Sequence, residues 1–321
     1  MTASMTRRNL LTTAGAMAFS GAIMNNLFAA NAEIKPAANA SEPFGYCLNT
    51  STISGANLGL SEMIDIAGKA KFGAVEPWLR DIEKFIKAGG VLGDLAKKIE
   101  DYGMVIPSAI GFAKWIVDDE QQRTAGIEQM KHDMDLVAQL KGTRIAAPPI
   151  GANGGKDAKP ELANIVERYK VLLDLGRKMG VKPELEVWGS SKTLNNLGDA
   201  VHVIINAADA DACMLLDVFH LYKGGSSIAG LKLLNASALG VLHTNDYPAD
   251  PPREKINDQD RIYPGDGVAP LKELFITLKQ IGWRGYLSVE LFNREYWKQS
   301  PQKVAQAAID KTRAAVQSAL G

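Results

Sequence analysis

Four stretches decide the fold: Pro183-Glu184-Leu185-Glu186-Val187-Trp188, Leu215-Leu216-Asp217-Val218-Phe219-His220, Val241-Leu242-His243-Thr244-Asn245-Asp246 and Leu287-Ser288-Val289-Glu290-Leu291-Phe292. Each is a short apolar run that closes on a carboxylate or an imidazole. Runs of this length with such an end read as buried strands of a parallel sheet. Working outward, further strand-like runs fall at 45–50, 73–77, 104–110 and 144–149, joining those at 182–187, 212–218, 239–245 and 285–291. Between them lie helical patterns at 61–71, 92–102, 120–140, 161–179, 194–208, 225–234, 268–280 and 301–320. Pairs such as Lys141-Gly142 and Met179-Gly180 carry helix-stop chemistry. Eight strand–helix repeats predict an α/β chain folded as one (β/α)8 TIM barrel over residues 43–321, close to the usual size of about 250 residues. The rival, a doubly wound open sheet, usually has a glycine-rich phosphate turn after its first strand. Asn49-Thr50-Ser51-Thr52-Ile53-Ser54-Gly55 does not supply one.

In such a barrel the reactive groups sit at the C-terminal ends of the strands. A lone acid at a strand end is as readily a cap or an ion-pair partner. Here Glu186, Asp217, His243 and Glu290 end four consecutive strands. Parallel neighbours lie about 4.8 Å apart, so the four side chains converge. Three carboxylates in a low-dielectric mouth repel one another, and a divalent cation removes that cost. The four residues are therefore expected to hold one metal ion. Their O,O,O,N shell suits Mn2+, Mg2+ or Co2+, with Zn2+ also compatible, better than a structural zinc site built on Cys and His.

The segments Leu185-Glu186-Val187-Trp188-Gly189, Leu216-Asp217-Val218-Phe219-His220, Leu242-His243-Thr244-Asn245-Asp246, Arg261-Ile262-Tyr263-Pro264-Gly265-Asp266-Gly267 and Ser288-Val289-Glu290-Leu291-Phe292-Asn293 resemble the xylose-isomerase-like barrels, also grouped as AP endonuclease 2-like. The sugar phosphate isomerase/epimerase group is the nearest likeness, over about residues 44–320. Asn49-Thr50-Ser51-Thr52-Ile53 and Val75-Glu76-Pro77-Trp78 are similar too. The resemblance implies that Glu186, Asp217, His243 and Glu290 are metal ligands, and that Glu186 and Glu290 also move a proton on and off carbon. It implies that His220 contacts a substrate oxygen and that Arg261 contacts substrate. The loop between His243 and Arg261 is longer than in ketose epimerases of this group, which separates this chain from their substrate.

The chemistry stands beside the likeness. A proton next to a carbonyl is weakly acidic, a metal stabilises the enediolate that forms, and one carboxylate takes the proton while another returns it. The expected function is a divalent-metal-dependent sugar isomerase or epimerase. The alternative is a lyase or dehydratase acting on a keto-sugar, keto-glycoside or keto-inositol at the same site. A phosphodiester hydrolase with a zinc cluster needs more histidines than the four present, and a non-catalytic sugar- or metal-binding protein is a further alternative.

Other residues carry weaker signals. Glu76 reads as a substrate contact or as an ion-pair partner inside the barrel. Glu184 shares a strand face with Glu186, two residues deeper, and suits a buried structural role. Asp246 is expected behind the ligands, holding His243 or positioning the loop at 247–267, whose length points to function. Trp188, Phe219, Tyr247 and Trp297 are candidates for a sugar-stacking wall. His132 and His202 fall in helices and read as surface residues. Lys223, beside Gly224-Gly225, is a candidate anion receptor.

Lys plus Arg number 36 and Asp plus Glu number 36, so net charge gives no reason to expect a nucleic-acid partner. The expected partner is a small carbohydrate, and a homo-oligomer is left open. Cys47 and Cys213 read as two buried thiols rather than a disulfide. At the N-terminus, Thr6-Arg7-Arg8-Asn9-Leu10-Leu11, a weakly apolar stretch and Ala30-Asn31-Ala32 look like a twin-arginine export signal over residues 1–32, followed by a linker at 33–42. A Sec signal or a retained anchor is the rival. Asn25 and Asn26 count against a membrane span. The twin-arginine reading implies a periplasmic protein exported folded, with its metal already in place.

Overall fold

A computed structural model describes residues 42–155 and 159–321. The expected export signal and all but the last residue of the linker lie outside the described residues. Among the described residues, no helix is long and apolar enough to cross a membrane.

Seven strands form one parallel sheet: β1 Gly45–Asn49, β2 Ala74–Glu76, β3 Arg144–Ala147, β4 Lys182–Glu186, β5 Cys213–Asp217, β6 Leu239–Thr244 and β7 Tyr286–Val289. Their order is β2-β1-β7-β6-β5-β4-β3. The eighth expected strand, 104–110, is present but forms no regular ladder. On one side, Val75 N donates to Val105 O (3.0 Å) and Ile110 N to Pro77 O (2.9 Å); on the other, Ala109 N donates to Arg144 O (3.2 Å) and Ala146 N to Ala109 O (2.9 Å). The segment thus bridges β2 and β3 and closes the ring. Pro107 lies in its middle and has no N–H to give, which is why the pairing breaks into isolated bridges.

The sheet is buried on both faces, as its near-continuous apolar runs require. The larger core lies between strands and helices, with Leu48, Leu185, Leu216, Leu242 and Val289 facing helix residues such as Ile64, Leu173 and Phe275. A smaller cluster of Trp78, Ile110, Ala146, Leu215 and Val241 fills the barrel interior. Below the mouth, Glu184 reaches across the barrel: its Oε1 lies 3.0 Å from Arg144 Nε and accepts from Val241 N at 3.1 Å. A Cβ on Gly240 would fall 1.7 Å from that oxygen, so only glycine fits there. This is the buried structural role expected of Glu184.

Most helices fall where periodicity places them, including Glu120–Gln139, Leu162–Met179 and Pro301–Leu320. Asp119 caps the first, accepting from Gln122 N at 2.8 Å. Gly180 ends the second in the left-handed region (φ 72°). Two differences stand out. A further helix, Leu79–Lys87, occupies a stretch in which no element was expected. The helix expected at 225–234 is a 3-10 segment, Ile228–Leu233, because Gly225 and Gly230 weaken an α-helix there. His132 and His202 are exposed, and both cysteines are buried and free.

Candidate active site

Register brings the strand ends together. Asp217 on β5 pairs with His243 on β6, and His243 pairs with Ser288 on β7, two residues before Glu290. Ligand atoms of Asp217, His243 and Glu290 all lie within 4.8 Å of one another, and all three residues are buried. Glu186, at the end of β4, stands outside that tight group. It is also buried, and its Oε2 has no hydrogen-bond partner.

The imidazole of His243 is fixed from behind. Its Nε2 lies 3.0 Å from Glu76 Oε2. The same oxygen accepts from Ser288 Oγ (2.6 Å) and Asn49 Nδ2 (2.9 Å), and Asn49 Oδ1 accepts from Trp78 Nε1 (2.8 Å). Glu76 is fully buried and does not line the cavity, so its geometry is that of the ion-pair partner rather than of a substrate contact. With Nε2–H directed at Glu76, the other ring nitrogen faces the carboxylates. Nδ1 is 3.1 Å from Glu290 Oε2 and 3.6 Å from Asp217 Oδ2, yet it makes no aligned hydrogen bond.

That arrangement tests the fit of a metal. An imidazole lone pair aimed at two carboxylate oxygens, beside a third carboxylate with a free buried oxygen, is repulsive unless positive charge lies among them; Arg261 Nη1 reaches the first two oxygens, but His243 Nδ1 and Glu186 Oε2 still lack a partner. The donor set of three carboxylates and one imidazole suits a divalent ion. Protonating His243 is the other way to relieve the repulsion. Burial opposes the imidazolium, but the carboxylates of Glu290 and Glu76 outweigh it and raise the pKa well above its ordinary value. A proton and a metal ion therefore compete for Nδ1. Burial also pushes the Glu186 carboxyl up to about 8, against the opposing pull of His243 and with help from Glu290.

Arg261 closes the site from the loop side. Nη1 donates to Asp217 Oδ2 (2.7 Å) and Glu290 Oε2 (2.9 Å). Nη2 reaches His220 Nε2 (3.2 Å) and Asp258 Oδ1 (2.5 Å), and Nε reaches the same Asp258 oxygen (3.1 Å). These contacts use all five guanidinium N–H groups. Phe219 and Phe292 lie against its faces, with ring centroids 4.8 and 5.1 Å away. Arginine only donates, so His220 Nε2 accepts and the ring proton sits on Nδ1. That Nδ1 is buried without a partner, on a residue that lines the cavity. Burial opposes the Asp217 charge, yet Arg261 holds its carboxyl far below the ordinary range. Asn245 Nδ2 adds contacts of 3.3 and 3.2 Å to the two Asp217 oxygens.

Above these groups opens a cavity of about 240 Å³, with Glu186, Glu290, His220 and Arg261 among its lining residues. Its aromatic wall is Trp78, Phe112, Trp188 and Phe292, joined by ring contacts of 5.2 Å (Trp78–Phe112), 6.2 Å (Phe112–Trp188) and 6.0 Å (Trp78–Phe292). Of the four aromatics expected there, Trp188 lines the cavity. Phe219 packs on Arg261, Tyr247 stacks on Tyr222 at 4.0 Å, and Trp297 Nε1 donates to Ser51 O.

The loop after β6 is tied at its base by Asp246 and Ile262, whose backbones exchange hydrogen bonds of 3.0 and 2.9 Å. The Asp246 carboxylate accepts from the backbone N–H groups of Tyr247, Gly265, Gly267 and Ala269. It therefore positions the loop, and these contacts leave His243 to Glu76. Lys223 Nζ donates to the carbonyls of Arg253 (2.9 Å), Glu254 (3.1 Å) and Ile256 (2.9 Å). It is thus a strut for the loop and is not available as an anion receptor.

A closed parallel barrel with charged strand ends gathered at one mouth defines the class: the chain belongs to the xylose isomerase-like TIM barrel family, which matches residues 64–315. Among its relatives, an inosose isomerase of Halalkalibacterium halodurans is 33% identical over 188 residues, covering 58% of this chain and 66% of that protein, just short of two thirds of its length. A D-psicose 3-epimerase of Agrobacterium fabrum is 23% identical over 71% of this chain and 78% of its own. Among solved structures, an IolI protein with a bound zinc atom has a TM-score of 0.78 at 24% identity, over 87% of this chain and 100% of that one.

Proposed function

We propose that this protein is a divalent-metal-dependent isomerase or epimerase of a polyhydroxylated ketone, moving a proton between carbon and the carboxylates of Glu186 and Glu290. One observation carries the reading: His243 Nδ1, on a ring held by Glu76, faces Asp217 and Glu290 beside a free buried oxygen of Glu186. Asp217, His243, Glu290 and Glu186 would hold the ion. When bound, it supplies positive charge where the substrate's carbonyl oxygen turns negative as the neighbouring proton leaves. Mn2+, Mg2+, Co2+ and Zn2+ all suit this donor set, and the zinc-bound IolI protein shares the fold.

The chain's own residues do the rest. Glu186 and Glu290 end β4 and β7, which are separated by two strands, so they reach a substrate from different directions. One removes the proton and the other returns it. His220 offers a neutral Nδ1–H to a substrate oxygen, and the aromatic wall keeps water from the reacting carbon. The relatives named as isomerase and epimerase support a reaction that conserves mass over one that expels a leaving group.

The test is solvent exchange. Metal-reconstituted protein in D2O should place deuterium on the carbon next to the carbonyl of a ketose or an inosose, with product mass otherwise unchanged. Glu186→Gln and Glu290→Gln should each remove turnover. Near-normal exchange in both variants would sink the assignment, and loss of water from the substrate would replace it with a lyase.

A further inference from the structure

The loop after β6 brings two charged side chains, Asp258 and Arg261, to the cavity. Arg261 is the sole cationic side chain among the described residues lining the cavity, and all five of its N–H groups are engaged. The nearby Lys223 is bound to three loop carbonyls. No lining cation is therefore left to receive a phosphate or a carboxylate. Asp258 presents the opposite charge. Its Oδ1 takes both Arg261 donors, while Oδ2 accepts no hydrogen bond from the described residues, and the side chain is 51% exposed at the mouth.

Resting on the function proposed above, we infer that Asp258 is a specificity-determining residue: its Oδ2 accepts a hydroxyl of an uncharged polyhydroxylated ketone, and its charge turns away phosphorylated or carboxylated ones. A hydrogen bond from a hydroxyl to a carboxylate is of the stronger, charge-assisted kind. A phosphate in the same place meets like charge with no free cationic side chain in the lining to offset it. The cavity, about 240 Å³, is smaller than the roughly 300–1,000 Å³ of drug-sized ligand pockets. That suits a single sugar or cyclitol, one face on the aromatic wall and one hydroxyl at Asp258. Asp258 also sets Arg261, which in turn fixes the His220 tautomer, so it positions as well as selects.

The experiment uses the full metal-reconstituted chain and follows quenching of Trp78 and Trp188 fluorescence on titration with an inosose, with D-fructose, and with phosphate monoesters of each. At least one neutral ketone should bind, and its phosphate ester should bind at least about tenfold more weakly at low salt. Added salt should shrink that ratio, because repulsion at an exposed mouth is screened. Asp258→Asn should weaken the neutral ketone and bring the ratio below about threefold, since a carboxamide carries no charge. Phosphate esters binding as tightly as the neutral ketones, or a ratio that neither salt nor Asp258→Asn moves, would overturn the inference. The salt dependence is read on the unaltered protein, so the test survives a variant that fails to fold. Deuterium exchange run in parallel separates the two claims. Selective binding without exchange removes the catalytic reading and keeps the selectivity. Exchange on neutral and phosphorylated ketones alike does the reverse, and binding of no neutral ketone removes both.

Discussion

Glu76 shows how far the proposed metal site depends on residues that would not touch the ion. Three donors converge on its Oε2: His243 Nε2, Ser288 Oγ and Asn49 Nδ2. Ser288 and Asn49 hold the carboxylate in place, and by accepting from Nε2–H it fixes which imidazole nitrogen faces the proposed ligand carboxylates and raises that nitrogen's basicity. Glu76→Gln should weaken metal binding by about 10- to 100-fold, as losses behind a ligating histidine commonly do. Calorimetric titration with Mn2+ or Zn2+ reads this directly, and an unchanged affinity would mean that His243 is not a ligand. The four proposed ligand positions stand out in the sequence because each closes an apolar run on a charged or imidazole group, and the fold brings Asp217, His243 and Glu290 together. Asn49, Asn245 and Asp258 were not assigned roles. A neutral amide at a strand end, or one acid in a polar loop, carries no periodicity, and its partners lie 27 or 28 positions away or in the turn beside it. The tautomer of His220 was out of reach for the same reason, since it follows from Arg261, 41 residues on.

The loop after β6 behaves as one element because Asp246 holds four of its backbone N–H groups. Gly267 is required there by close approach: a Cβ would meet Tyr247 O at 2.2 Å and Asp246 Oδ1 at 2.4 Å. Asp246→Ala leaves those four donors without their acceptor, each worth about 1–3 kcal/mol if it stays buried. The loop should loosen and substrate binding should fall, while affinity for the proposed metal, which would rest on β4–β7 and Glu76, should hold. Limited proteolysis within 248–262 beside a metal titration distinguishes these, and loss of both together would contradict the separation. A second element-scale expectation concerns Asp133 on helix Glu120–Gln139. It is 1% exposed, and burial pushes its carboxyl from 3.8 up to about 6. Below pH 4 both folded and unfolded chains hold the proton and nothing is lost. Between pH 4 and 6 the unfolded chain ionises first, so stability falls, and above pH 6 the full penalty of about 3 kcal/mol applies. Asp133→Asn should therefore stabilise by about 1–3 kcal/mol at pH 8, with the gain shrinking toward pH 4. Denaturant unfolding at the two pH values checks it. Helix Leu79–Lys87 escaped the sequence reading because it starts two residues after Pro77, with no side-chain cap to announce it.

At the scale of the whole molecule, the strand–helix alternation predicted the barrel, and Pro107 predicted nothing until the ring was seen to close through it. Among the described residues, laddered pairing runs through β3, β4, β5, β6, β7, β1 and β2, with one register shift between β5 and β6, whereas the segment 104–110 joins β2 by isolated bridges alone. The barrel thus has a hem. All four proposed ligands lie on β4 to β7, across the ring from it, whereas Trp78, Ile110 and Phe112 of the substrate wall flank it. Thermal opening starts where hydrogen bonds are fewest. Backbone amides of Val105, Ala109 and Ile110 should exchange with solvent well before those of Leu216 and Leu242, and equal protection would show the joint to be as firm as the ladders. Such a molecule can part beside its aromatic wall, widening the way in, while the side that would hold the proposed ion stays shut.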